Sequence, residues 1–276
     1  MTREVKELFS QVYKALELGQ RESCENVRAQ SSTREVQILS LSSYSSKCNI
    51  VAVDAGLGRI QVGNTLLDVV QVVAIGTKIS TGKFFIRSAR SSEDINELIG
   101  YVRTCELRTA LTLNISRYIV LLDGALEKCA QDPRVLASLS LLVEKDNVVV
   151  ALSKQHPPKA VLSRESSDKI SLKVLDRFGL GRVRGLRVVV SSGAIQGTPM
   201  EIYVRRDDSD TIMHVVATVF KLCLNSVAPG YPLPLVIADY MSRLSARELT
   251  SIRSIVERLG SATLEISLHV RPLRIV

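Results

Sequence analysis

The sequence predicts an α/β fold in which a mixed sheet is flanked by helices. Three observations carry this. Two short apolar runs each end in aspartate and small residues, Ile50-Val51-Ala52-Val53-Asp54-Ala55-Gly56 and Tyr118-Ile119-Val120-Leu121-Leu122-Asp123-Gly124-Ala125. Both have the pattern of buried parallel-type strands that deliver a carboxylate to their carboxyl ends. From residue 49, three strand patterns precede an alternation of helix and strand. Hydrophobic residues make up 46% of the 276 positions, ample for a substantial core. With no internal repeat or low-complexity linker, a single domain over 1–276 is the simplest account. Its core covers about 49–155 and is completed by the C-terminal part to about 270.

The elements follow in order. Val5, Leu8, Phe9, Val12, Tyr13 and Leu16 keep helical spacing, so 3–18 reads as an amphipathic helix, followed by a polar loop over 19–33. Strand patterns occupy 35–41, 49–54, 66–77 and 82–87, with turn signals at Gly56–Gly58 and Gly76–Gly82. A long helix is predicted across 92–113, then strand 118–123. Asp132-Pro133 starts a helix at 133–144, and Val148–Leu152 is the next strand. Three meandering strands followed by this alternation is the layout of an RNase H-like sheet. Beyond a turn at His156-Pro157-Pro158, residues 166–178 read as helical, and 186–190, 201–205 and Met213–Phe220 read as strands. Tyr231-Pro232-Leu233-Pro234 enters a helix over 234–244. Ser245-Ala246-Arg247-Glu248 is a capping box for a helix over 246–259, and 263–270 closes as a strand.

Composition narrows the function classes. The net charge of +8 favours an anionic partner such as nucleic acid or an acidic membrane surface, with solubility as the plain alternative. Tryptophan is absent and aromatics are 4%, which argues against a base-stacking platform. Five single cysteines without a CxxC pair argue against structural zinc. The charged N-terminus leads into a helix pattern rather than a signal peptide. No apolar run approaches the roughly 20 residues needed to span a bilayer. The expectation is a cytoplasmic protein with no membrane association.

Asp54 and Asp123 are the first candidate metal ligands, with ordinary strand-end turns as the alternative. Glu106 is the third. On the helix over 92–113 it shares one face with Ile95, Ile99, Val102, Ala110 and Leu113. A lone carboxylate there must be paired or bind a cation. It either joins Asp54 and Asp123 around a hard ion such as Mg²⁺ or Mn²⁺, or pairs with an arginine such as Arg103 or Arg108. Two such ions, roughly 3.5–4 Å apart, are suited to phosphodiester hydrolysis. Lys154, after strand 148–152, stands where a lysine can orient a phosphate or a carboxylate; a surface lysine is the alternative. Arg177, Arg182, Arg184 and Arg187 cluster between glycines, and Arg205 and Arg206 end a strand. They read as a solvated loop and strand ends or, where a nuclease is indicated on other grounds, as a candidate DNA track that neutralises phosphates without reading sequence. Arg271 and Arg274 lie near the C-terminus. His156, His214 and His269 offer no confident ligand. The N-terminal helix and Leu268–Val276 are candidates for protein contacts.

Four blocks resemble the NurA nucleases, archaeal and bacterial 5′→3′ nucleases that act with the HerA hexameric ATPase. They are Val51-Ala52-Val53-Asp54-Ala55-Gly56 (family form AVDGS) and Val120-Leu121-Leu122-Asp123-Gly124-Ala125-Leu126 (LLDGSL). Next come Val150-Ala151-Leu152-Ser153-Lys154 (like GVSK) and Gly230-Tyr231-Pro232-Leu233-Pro234-Leu235 with Ala238-Asp239 (like YPxPLxxAH). They occur in family order. The resemblance implies an RNase H-like, Piwi-related core, a Mn²⁺-dependent site and a ring-like homodimer. It also implies 5′→3′ exonuclease and single-strand endonuclease activity in DNA end resection with a HerA-type ATPase. Carried over by position, Asp54, Glu106 and Asp123 match the acidic ligands and Tyr231 the tyrosine near the site. Asp239 stands where the family has its last ligand, a histidine. Aspartate can ligate through oxygen but cannot act as an imidazole ligand or base. That departure motivates the alternative of a weakly active or inactive DNA-binding subunit that regulates the ATPase. Another RNase H-like enzyme, such as a junction resolvase, is a third option, which leaves the Tyr-Pro-x-Pro-Leu block unexplained.

Overall fold

The computed structural model describes residues 36–40, 48–76, 79–89, 94–127, 129–153, 169–192, 197–228, 230–259 and 264–268. The expected N-terminal helix, Lys154, His156, His269, Arg271 and Arg274 lie outside them. In chain order the elements are β1 (Val36–Ser40), β2 (Asn49–Val62), β3 (Thr65–Gly76), β4 (Ser80–Ser88), α1 (Ile95–Thr112), β5 (Tyr118–Asp123), α2 (Pro133–Glu144) and β6 (Val148–Leu152). They continue with β7 (Lys169–Leu180), β8 (Val183–Ser191), β9 (Thr198–Val204), α3 (Ser209–Leu224), α4 (Leu233–Ser242), α5 (Ala246–Leu259) and β10 (Leu264–Leu268).

The ten strands form one sheet in the order β1-β7-β8-β9-β6-β5-β2-β3-β4-β10. β5 runs parallel to β2 and to β6, and the other pairings are antiparallel. The central run β4-β3-β2-β5-β6 is the RNase H-like arrangement: a three-strand meander, then two parallel additions through crossover helices. β5 and β6 are fully apolar in their centres because helices cover both faces. One face carries α1 and α2, with Val51, Val53, Leu107, Leu122 and Leu139 in its core. The other carries α3 and α4, with Ala52, Leu121, Val150, Val216, Phe220 and Leu235. Each large apolar side chain so buried contributes about 1.5–3 kcal/mol. α5 covers the outer part of β2–β4 through Ile252 and Val256 against Ile60, Leu67 and Phe84. Among the described residues no helix is long and apolar enough to cross a membrane.

Helix starts follow local chemistry. The side chains of Asp94, Asp132 and Asp208 cap α1, α2 and α3 by accepting from Asn96, Arg134 and Thr211 backbone N–H groups. Ser245 and Glu248 exchange hydrogen bonds before α5, as the capping-box pattern predicts.

Three expectations are corrected. Of residues 166–178, read as helical, those from Lys169 on lie instead in β7, where Ile170, Leu172 and Val174 alternate inward and a bulge between Val174 and Asp176 takes up the irregular Leu175; 166–168 lie outside the described residues. Met213–Phe220, a β-branched run read as a strand, lies within α3. This helix is buried on most sides, so tertiary packing overrides strand propensity. Gly56–Gly58 is not a turn: β2 passes straight through to Val62. These glycines mark a close packing approach, and Asp54 consequently sits mid-strand.

Candidate metal centre

The centre is assembled from β2, β5 and α4. The parallel register pairs Val53 with Leu122, so Asp54 and Asp123 are the next positions on two neighbouring strands. By alternation they share the face of Ala52 and Leu121, toward α3 and α4. β5 ends at Asp123, and Gly124 follows with φ 77°, a left-handed conformation that favours glycine. The Gly124 N–H donates to the Leu152 carbonyl at 2.6 Å, which turns the chain away and leaves the carboxylate at the strand tip. α4 closes the site. A Cβ on Gly56 would lie 1.9 Å from the Ser242 carbonyl oxygen, so only glycine lets the end of α4 approach β2 this closely. Ser242 Oγ then donates to Asp54 Oδ2 at 2.8 Å, and Gln71 on β3 donates to the Met241 carbonyl at 3.3 Å. One turn before Ser242, α4 presents Asp239.

One carboxylate oxygen from each of Asp54, Asp123 and Asp239 lies within 4.8 Å of the others, with Asp54 buried and the other two half-buried. Three like charges this close repel unless a cation joins them. The donor set is all oxygen, which suits a hard divalent ion. On the rim, Arg243 Nη2 reaches Asp239 Oδ2 at 2.6 Å, with the arginine side chain 69% exposed.

Glu106 stands beside this cluster, and its Oε2 accepts from Arg103 Nη1 at 2.7 Å. The arginine pair is formed, and Glu106 also stays close enough to Asp54 and Asp123 for their charges to act on it. Burial pushes its carboxyl up to about 7, with Arg103 pulling against that and Asp54 and Asp123 adding to it. The Arg103 guanidinium is held protonated: burial lowers its pKa, and the charges of Glu106 and Asp123 outweigh it.

Tyr231, just before α4, is within hydrogen-bonding reach of Asp123. Its pKa is raised, by burial first and then by the charges of Asp123, Asp54 and Asp239, so the hydroxyl keeps its proton.

The predicted arginine track is divided. Arg177 pairs with Asp207, Arg182 with Glu144 at 3.2 Å, and Arg205 with Asp146 at 4.0 Å, all on the surface. Arg184 and Arg206 are exposed. Arg187 turns inward to Glu127 and lies 5.9 Å from the Phe178 ring. His214 Nε2 lies 2.8 Å from Cys48 Sγ.

Sequence reasoning missed Ser242 and Arg243, one helical turn beyond Asp239, and Glu201. Glu201 is buried on β9, and its Oε2 accepts from the Leu126 and Glu127 N–H groups at 2.7 and 3.1 Å and from the Tyr203 hydroxyl at 2.8 Å. It thereby clamps the loop after Asp123. A lone glutamate in the apolar run Met200-Glu201-Ile202-Tyr203 was the available signal.

An RNase H-like sheet carrying three clustered carboxylates on adjacent strands and a capping helix defines the class to which this molecule conforms. No protein-family model and no curated protein matches the sequence. Among solved structures, the NurA nuclease from Sulfolobus solfataricus matches with a TM-score of 0.52 at 14% identity, over 94% of this chain and 97% of that one. NurA with manganese matches with a TM-score of 0.53 at 10% identity, over 91% and 99%. NurA bound to dAMP and manganese matches at 0.52 and 10%, over 92% and 95%. The chain therefore has a NurA-like fold.

Proposed function

We propose that this chain is a metal-dependent DNA nuclease, with Asp54, Asp123 and Asp239 holding a divalent cation. The convergence of these three carboxylates at the end of β5 carries the reading. A bound Mn²⁺, or Mg²⁺, would act as a Lewis acid on a phosphodiester and lower the pKa of attacking water. The chain's own residues prepare that chemistry. Ser242 fixes the Asp54 carboxylate, Glu201 fixes the loop that follows Asp123, and α4 sets Asp239 opposite them. Tyr231, keeping its proton, is a hydrogen-bond donor at the edge of the centre. Exposed Arg177, Arg182, Arg184, Arg205 and Arg206 supply positive charge for a DNA backbone. Lys154 is retained as a phosphate-orienting candidate. The manganese and dAMP complexes of the NurA structures that share this fold support the choice of ion and substrate.

With the sequence blocks, the same reading extends to 5′→3′ exonuclease and single-strand endonuclease action in DNA end resection, as a cytoplasmic homodimer beside a HerA-like hexameric ATPase. The test is digestion of end-labelled single-stranded and blunt DNA with Mn²⁺ and with EDTA. Expected is cleavage with Mn²⁺ that Asp54→Ala and Asp123→Ala both abolish. Equal digestion by these variants and the wild type removes the assignment.

One observation favours a second reading. Asp239 replaces an imidazole and is bridged to Arg243, which suits a DNA-binding subunit that regulates the ATPase without cutting. Tight DNA binding and ATPase stimulation with no cleavage under any divalent ion would select it.

A further inference from the structure

We propose that Arg243 is a substrate-binding residue of the carboxylate centre. Its guanidinium, which lies on Asp239, exchanges that carboxylate for a phosphodiester oxygen of the nucleic acid when Asp239 ligates a divalent cation. The inference rests on the metal-dependent reading above and adds a phosphate contact to the same site.

The main chain of Arg243 is anchored beside the cluster. It is the C-cap of α4 and leaves the helix with extended backbone, φ −67° and ψ 121°. A Cβ on Gly56 would lie 3.4 Å from Arg243 Cα, so the residue is seated directly against β2. The preceding Ser242 is buried and donates from Oγ to Asp54 Oδ2 at 2.8 Å. The Arg243 side chain, by contrast, is 69% exposed, and Nη2 reaches back one helical turn to Asp239 Oδ2 at 2.6 Å. Asp239 is itself 24% exposed, so the pair lies at the mouth of the cluster. A fixed root and an exposed head let this arginine change partner without moving the backbone that orders Asp54.

Charge supplies the reason for the exchange. Asp239 is one of three carboxylates whose oxygens lie within 4.8 Å of one another, and the guanidinium offsets part of that negative charge. Once Asp239 gives its charge to a divalent cation, its hold on Arg243 falls, and cation and guanidinium repel. Exposed ion pairs hold weakly, so little is lost when this one opens. The Arg103–Glu106 pair on α1 differs: at 8% and 1% exposed it cannot open without stranding buried charge. A donor in contact with a ligand carboxylate stands just outside the coordination shell. The planar guanidinium fork fits carboxylate and phosphate oxygens alike, and a phosphodiester is the anion that a nuclease binds at this point. Arg177, Arg182 and Arg205 pair instead with Asp207, Glu144 and Asp146, which are not members of the cluster. Their charge serves the flanking backbone, whereas Arg243 serves the phosphate at the metal.

The experiment compares the whole wild-type chain with Arg243→Gln and Arg243→Lys. Calorimetry follows Mn²⁺ binding without DNA. Fluorescence anisotropy follows binding of a labelled single-stranded oligonucleotide over a range of salt, in EDTA and in Ca²⁺, a hard ion that takes the same oxygen ligands. In EDTA, Arg243→Gln and the wild type are expected to bind the oligonucleotide alike. In Ca²⁺, Arg243→Gln is expected to bind it roughly ten- to hundredfold more weakly, the range of one charge-assisted hydrogen bond. Its log–log salt slope should be shallower by about 0.7, the loss of one phosphate contact on a single strand. Arg243→Lys, which keeps the charge, should restore that slope. Arg243→Gln should bind Mn²⁺ as tightly as the wild type or more tightly, because a competing cation is gone. An oligonucleotide affinity in Ca²⁺ that Arg243→Gln does not change overturns the proposal and leaves the metal centre standing. So does an equal loss in EDTA and in Ca²⁺, which would make Arg243 part of a general basic surface. A Mn²⁺ affinity about tenfold or more weaker in Arg243→Gln also overturns it, as the mark of a residue that only orients its carboxylate. No Mn²⁺ binding by the wild type overturns the metal reading and the proposal together.

Discussion

Two buried carboxylates lie on paired strands of this sheet and have opposite surroundings. Asp68, on β3, faces Arg59 on β2 and Arg87 on β4 in direct cross-strand register. Both arginines bind it, at 2.7 and 3.4 Å, and Arg87 also stacks 3.9 Å from the Tyr101 ring. Its charge is more than matched inside the protein. Asp54, on β2, meets two more carboxylates, a serine hydroxyl and, at the rim, one exposed arginine that binds Asp239. The first is a structural ion-pair knot. The second gathers three carboxylates within reach of one another. Burial alone does not distinguish the two; the counter-charges do.

Substitutions at the two places should therefore separate activity from stability. Asp54→Asn and Asp123→Asn are expected to lose about a thousandfold or more in Mn²⁺-dependent cleavage, the several kcal/mol that a metal's Lewis acidity supplies. Their stability in EDTA should be retained, because repulsion within the cluster is relieved. Asp68→Asn is expected to do the reverse. Leaving two arginines short of a charge partner costs about 3–5 kcal/mol in denaturant unfolding, while the specific activity of the folded fraction stays within severalfold of wild type.

Glu106 lies between these extremes and yields a pH test. Its pKa is raised in the folded state from 4.5 to about 7, so the folded protein binds this proton more tightly than the unfolded chain. The associated stability is fully present below about pH 4.5 and is lost as pH rises to about 7. The size is at most about 3 kcal/mol. Urea unfolding in EDTA across this window should show a steeper slope in wild type than in Glu106→Gln, the remainder including Glu201, whose carboxyl burial also pushes up.

Mn²⁺ at one hundred times its Kd should stabilise the wild type by about 2.7 kcal/mol. The corresponding rise in Tm should be absent in Asp123→Asn and preserved in a marginally folded Asp68→Asn. Smallest is Gly56→Ala. Displacing the end of α4 costs about 1–3 kcal/mol and should weaken Mn²⁺ binding as Asp239 and Ser242 move off Asp54.

Much of this arrangement could be read from the chain because strand signals are local. The runs ending at Asp54 and Asp123 carry their own burial pattern, and their shared edge follows from the order of elements. Glu106 announced its burial by interrupting an apolar face, but periodicity cannot choose between a cation and Arg103 as its partner, since both satisfy a buried carboxylate. Asp239 was reached only through a motif, because its closeness to Asp54 depends on a helix folding back across 185 positions of chain. The β-branched run of α3 favours strand locally, and only its burial on most sides makes it a helix. In β7 the reverse holds: the bulge at Leu175 breaks the alternation that would mark a strand. Gly56 illustrates the limit of turn chemistry: the same residue that marks a turn in isolation here admits the Ser242 carbonyl.

The most direct measurement is a crystal soaked in Mn²⁺ and measured at the manganese absorption edge. An anomalous peak bounded by Asp54, Asp123 and Asp239, with Glu106 still on Arg103, is the predicted result. No peak at the three aspartates under saturating Mn²⁺, or a peak only at other residues, would contradict the assignment.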